Sequence, residues 1–248
     1  MKFKAKIQQG LWSLECFGLS PGKLALRFLN GTSPRILCTS IPKAGTNLAI
    51  RVLCLHQRLY RRFKRTMDDR NVISDDHLKS ILASTKQGQV LSSHLRFSET
   101  RARLIAEMGI KHIFIIRDPR DVVISTPHYI LREKNNHLFP LFSKCKNIRE
   151  AIKFAIVGNE EYGLQSVGDR FLASSGWGQK SETMTLRFED LVGIEGGGEE
   201  QSRHRAIETC FEYLDLEPLN AERKERIFSR ETRTFRVGQI RQWETIFD

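Results

Sequence analysis

Apolar residues follow two rhythms that alternate along the chain. RILCTSI (35–41) is an apolar, β-branched run that predicts a buried strand, and from Gly45 onward Leu48, Val52, Leu55 and Leu59 fall at helical spacing. Between them lies IPKAGTN, so the segment is one strand–loop–helix unit. DDHLKSILAST (75–85) predicts a helix, QVLSSHL (89–95) a strand, and SETRARLIAEMG a helix that opens on a serine cap and closes on glycine. KHIFIIR (111–117) is the strongest strand, its Ile and Phe suiting a sheet covered on both faces. Asp118 and Pro119 then stand at a cap and a first helical position, starting a helix through RDVVISTPHYILRE that Pro127 should kink. NIREAIKFAI carries the capping-box spacing of Asn147 and Glu150. ETMTLRFEDL (182–191) predicts a further strand and RHRAIETCFEYLDL a last helix.

Strands alternating with helices imply an α/β fold with a central, mainly parallel sheet and right-handed crossovers. Ligands of such sheets gather at the carboxyl ends of the strands, where Lys43, His94 and Arg117 stand. A chain of 248 residues suits a single domain over 1–248. It has no internal repeat, and GIEGGGEEQS (193–202) reads as a solvated, flexible loop.

Composition narrows the partners. Forty Lys and Arg against 29 Asp and Glu give a formal charge of +11, which favours an anionic partner. The densest positive run, RLYRRFKR (58–65), reads as a solvated helix end, with guidance of an anion as the functional alternative. Five scattered cysteines with no C-x-x-C pair and no zinc spacing fit a reducing compartment. Polar residues interrupt the basic first 26 residues, which argues against a signal peptide, and no stretch is apolar for long enough to span a bilayer. The expectation is a cytoplasmic protein whose basic N-terminus is suited to peripheral membrane contact.

IPKAGTN sits where a phosphate-binding loop belongs but lacks the G-K-[ST] ending of a nucleoside triphosphatase; its lysine, Lys43, comes before Gly45. Gly45 permits close approach to an anion, the next helical turn offers amides, Thr46 and Asn47 add donors, and Lys43 adds charge. The plain alternative is an ordinary turn with Thr46 as helix cap. In IFIIRDPRDVVIS, Arg117 can fork onto a phosphate and Ser125 can add a bond; the plain alternative pairs Arg117 with Asp118 or Asp121. Phe97, Tyr129, Phe139 and Phe142 are either core residues or the lining of an apolar pocket. Arg187 and Asp190 of LRFEDL read as a structural pair, and His112 as a structural strand residue.

Taken together, IPKAGTN, SSHL, IIRDPRDVVIS, LRFEDL and TFRVGQIRQWETIF occur in the order found in sulfotransferases that use PAPS (3′-phosphoadenosine 5′-phosphosulfate). Over residues 35–248 the chain resembles the soluble, cytosolic-type branch of that family. The resemblance implies a three-layer sandwich with a P-loop-like site and no required metal. It implies that Lys43, Ala44, Gly45, Thr46 and Asn47 hold the 5′-phosphosulfate, with Lys43 reaching the leaving oxygen. It further implies that Arg117, Ser125, Arg236 and Gly238 hold the 3′-phosphate. His94 would be the general base for in-line sulfuryl transfer to a hydroxyl or amine, Ser125 would restrain Lys43 until an acceptor arrives, and PAP would be released. Glu99 is the alternative base.

Three positions depart from that pattern. Ser92 stands where many members have lysine, Leu48 where they have an adenine-stacking tryptophan, and Val237 where the late motif often has lysine. Two other functions stay open on the residues alone: an ATP-dependent P-loop kinase or nucleotidase, and a nonenzymatic polyanion binder. Against the first stands the lack of a G-K-[ST] ending and of a clear Mg²⁺-holding acid. Nucleic acid is not an expected partner, and the acceptor and oligomeric state are not written in the sequence.

Overall fold

A computed structural model describes residues 14–28, 33–61, 66–227 and 238–247. Among the described residues five strands form one parallel sheet: β1 (Arg35–Ser40), β2 (Tyr60–Arg61), β3 (Gln89–Ser93), β4 (Ile110–Ile116) and β5 (Thr183–Arg187), in the order β2-β3-β1-β4-β5. Alternation along each strand sorts the side chains into two cores. Ile36, Cys38, Val90, Ile113, Ile115 and Leu186 point to one face, and Leu37, Leu91 and Phe114 to the other.

The first face is covered by α2 (Thr46–Leu55), α9 (Phe188–Val192) and α10 (Glu200–Tyr213); the second by α3 (Asp75–Ala83), α4 (Glu99–Glu107) and Trp177. Helix α1 (Pro21–Phe28) precedes the sheet in sequence. A third apolar cluster joins α5 (Pro119–Ile130), α6 (Phe139–Ser143) and α7 (Ile148–Val157), and α8 (Val167–Ser175) packs beside α5 and α7. Helix α11 (Ala221–Glu225) follows α10. The expected α/β sandwich on a parallel sheet is therefore the architecture observed.

Several caps are the ones the sequence predicts. Ser98 accepts the Arg101 amide, Asp118 accepts the Arg120 amide ahead of Pro119, and Asn147 accepts the Glu150 amide. Glu150 returns its carboxylate to the amide of Lys146 rather than to that of Asn147. Helix α5 runs on through Pro127 to Ile130.

Four local expectations are corrected. Helix α2 stops at Leu55 rather than Leu59, because the buried Lys23 ammonium binds the carbonyls of Cys54 and Leu59 and the chain turns into β2. Tyr60 and Arg61 of the basic run are thus an edge strand, not a helix end; residues 62–65 lie outside the described residues. The strand predicted over 182–191 ends at Arg187, since Phe188, Leu191 and Val192 have helical spacing and bury a shared face against the first core. Residues 193–202 are not a loose solvated loop. Gly193, Ile194 and Gly198 form a bonded turn, Gly196 is buried, and the guanidinium of Arg203 binds Glu195 and Glu200.

Candidate functional site

At the carboxyl edge, β1, β3, β4 and β5 end on Ser40, Ser93, Ile116 and Arg187, and the residues just past those ends converge. The loop after β1 turns at Ile41–Gly45, closed by the Ala44 amide on the Ile41 carbonyl. Lys43 has φ 73°, a left-handed conformation that costs a side-chain-bearing residue about 1–2 kcal/mol. Its ammonium sits 4.0 Å from the centre of the Tyr129 ring. The methyl of Ala44 is buried against Ile41 and Val122, so this residue can offer a ligand only its backbone.

Gly45, with φ 107°, caps α2 and has no side chain with which to occupy the first turn. A Cβ there would lie 2.4 Å from the Phe188 ring, so that ring makes a second demand for glycine. Thr46 is the first helical residue rather than the cap; its hydroxyl is bonded to that of Ser40. Asn47 is exposed beside it. The dipole and amides of α2 are therefore turned toward whatever anion enters the loop.

His94 follows β3 directly. Its amide binds the Met67 carbonyl at 2.7 Å, and its Nδ1 lies 2.8 Å from the Ser40 carbonyl. A carbonyl can only accept, so Nδ1 carries the hydrogen and Nε2 keeps its lone pair. Burial lowers the His94 pKa; the Ser40 carbonyl and Asp68 oppose that shift, while Lys43 and Arg70 add to it. The imidazole is thus biased toward its neutral, proton-accepting form.

Arg117, 8% exposed, ties the loop to the late motif: its NH1 donates to the Lys43 carbonyl at 3.2 Å and its NH2 to the Gln239 carbonyl at 2.9 Å. The guanidinium lies 4.2 Å from the centre of the Phe188 ring. The ion-pair reading of Arg117 holds for one of its two acids: Asp121 pairs with Arg117 at 3.9 Å, both side chains buried, whereas Asp118 binds Arg120 at 2.6 Å. Ser125 lies one turn beyond Asp121 on α5. Gly238 is present in the site with φ 60°, whereas Arg236 and Val237 lie outside the described residues.

Other predicted residues have different surroundings. Glu99 opens α4, is 67% exposed at its side chain and is bound to Lys180 at 2.6 and 2.7 Å. Phe142 is buried in the third core with Phe139 against it, and Phe97 meets Trp177 edge-on, so of the four aromatics it is Tyr129 that stands beside Lys43. Arg187 approaches Glu189 at 3.8 Å rather than Asp190, and Glu189 accepts the Asp118 amide. Leu48 is buried in the first core, and the Ser92 hydroxyl is bonded to that of Thr66. His112 bridges Thr39 and Thr183, both at 2.8 Å, within the sheet.

Sequence reasoning missed Ser40, Phe188 and Gly196. Ser40 acts through a main-chain carbonyl, which no side-chain pattern reports. The sequence offers Asp121 as an ion-pair partner of Arg117 but does not report its hold on the Arg241 and Gln242 amides.

No protein-family profile and no curated protein sequence matches the chain. Its fold is nonetheless that of sulfotransferase structures. It aligns with the crystal structure of the mouse sulfotransferase SULT7A1 complexed with PAP at a TM-score of 0.61 and 15% identity, covering 95% of this chain and 81% of that one. It aligns with retinol dehydratase in a complex with retinol and PAP at a TM-score of 0.52 and 15% identity, covering 88% of this chain and 78% of that one.

Proposed function

We propose that the chain transfers a sulfuryl group from PAPS to a hydroxyl or amine of an acceptor. The observation that carries this reading is Arg117, which joins the lysine-first loop to the segment beginning at Gly238 through the carbonyls of Lys43 and Gln239. One anion site faces the first turn of α2, and a second cationic site lies beside it. A donor with phosphates at both its 5′ and 3′ ends matches that pairing. The two structures compared above contain PAP, and their fold is shared by this chain.

In this reading the α2 amides, Thr46 and Asn47 bind the 5′-phosphosulfate, while Arg117, Ser125, Arg236 and Gly238 bind the 3′-phosphate. His94 Nε2 takes the acceptor's proton as the acceptor oxygen or nitrogen bonds to sulfur. The bond from sulfur to the bridging oxygen breaks at the same time, and Lys43 stabilises the charge gathering on that oxygen. PAP leaves, and the proton on His94 passes to solvent. The reading calls on no metal and treats residues 1–248 as one catalytic domain.

Calorimetric titration with PAP and with 5′-AMP, in the absence of Mg²⁺, tests the donor site before any acceptor is known. Tight PAP binding with much weaker 5′-AMP binding is expected. Equal affinity for the two would overturn the reading. Binding of heparin or nucleic acid that PAP fails to displace would favour a polyanion binder in its place.

A further inference from the structure

Asp121 has no part in the transfer step, yet its carboxylate is fully buried at the edge of the site. Its Oδ2 accepts the Arg241 amide and its Oδ1 the Gln242 amide, each at 2.9 Å. The two residues before these are held as well: the Gln239 carbonyl by Arg117, and the Ile240 amide by the Gly196 carbonyl at 2.9 Å. Gly196 is packed so closely that a Cβ on it would lie 2.3 Å from the Gly238 carbonyl oxygen. Beyond the bonded run, the Arg120 guanidinium lies 3.4 Å from the centre of the Trp243 ring. Arg241 is held at φ 58°, a conformation disfavoured for any residue with a side chain, between its own amide bond and that of Gln242.

We propose that Asp121 is a positioning residue for the donor: by holding two successive amides it sets residues 238–242, and so the backbone of Gly238 and the pose of Arg117, for the 3′-phosphate. The inference rests on the donor reading above. Charge and geometry make opposite demands here, which is what makes the idea testable. A carboxylate beside a phosphate site repels the phosphate, so if charge were its main effect, neutralising it would tighten PAP binding. If geometry dominates, neutralising it loosens the segment, because two amide donors need two acceptor oxygens and an asparagine turns a donor toward one of them.

Asp121→Asn is therefore compared with the wild-type chain for PAP and 5′-AMP affinity, with hydrogen exchange read at the Arg241 and Gln242 amides. The expected result is PAP binding weakened by roughly tenfold or more, with 5′-AMP binding changed by less than about twofold. Faster exchange at the two amides and a KM for PAPS that rises more than kcat falls should accompany it. Should Asp121→Asn fail to melt cooperatively, Asp121→Ser, which keeps one acceptor, takes its place in the same measurements. PAP binding that is unchanged or tighter in a folded variant overturns the inference alone. A wild-type chain that does not distinguish PAP from 5′-AMP overturns the donor reading and the inference together.

Discussion

His94 shows how one main-chain contact decides the chemistry of a side chain. With Nδ1 committed to the Ser40 carbonyl, Nε2 is the atom available to accept a proton. On the proposed reaction, His94→Ala keeps PAP affinity but loses at least about a hundredfold in turnover, the usual worth of a general base; undiminished turnover in a PAPS assay would remove the assignment. Because burial lowers the His94 pKa, the base form persists as the pH falls past 6.5, where an ordinary histidine is already half protonated. The acid limb of the kcat/KM profile is therefore expected below that value, and a limb above it would contradict the assigned environment. Lys43→Ala should cut transfer more than PAP affinity, since PAP lacks the sulfuryl group; equal losses would assign Lys43 to folding of the loop.

At the scale of elements, the entry into α2 depends on Gly45. Gly45→Ala meets both a φ of 107° and the Phe188 ring, so it should lower the melting temperature by several degrees and weaken PAP binding, read by thermal melt and calorimetry. Within the sheet, His112 is hydrogen-bonded to the hydroxyls of Thr39 and Thr183, and burial lowers its pKa to about 3. His56 is likewise pushed down to about 4, chiefly by burial. Between those values and the ordinary histidine value of 6.5, both stay neutral in the folded chain and gain a proton when it unfolds. Stability is therefore complete above pH 6.5 and declines as the pH falls toward 3, which urea titrations across that window would measure as a falling midpoint. His112→Phe should flatten part of the decline while costing about 1–3 kcal/mol for the stranded hydroxyls.

Elements were legible in the sequence in proportion to how local their causes are. Caps at Ser98, Asp118 and Asn147 involve residues two or three apart, and they appear where spacing puts them. The short helix after Arg187 reads as strand in the sequence, because its few apolar residues are ambiguous until α2 and α10 supply a surface to cover. The glycine-rich stretch at 193–202 reads as solvated for a similar reason. Its order comes from Arg203, the residue just past its end, and from Ile240, more than forty residues after Gly196.

For the whole molecule, a charge of +11 should make capture of an anionic donor depend on salt. PAP affinity is expected to fall as ionic strength rises from about 0.05 to 0.5 M, measured by calorimetry; an affinity indifferent to salt would mean that short-range hydrogen bonds alone hold the nucleotide. The sequence by itself determined the alternation of strand and helix, the parallel sheet, and the placing of Lys43, His94 and Arg117 at strand ends, because period, capping and strand-end position act over a few residues. Only the tertiary structure decided which atoms meet: Nδ1 of His94 on the Ser40 carbonyl, Phe188 against Gly45, and Asp121 beneath Arg241 and Gln242. Those contacts join segments 54, 143 and about 120 residues apart, two of them made through main-chain groups. Every residue carries the same main-chain groups, so a pattern of side chains cannot announce which of them will be used.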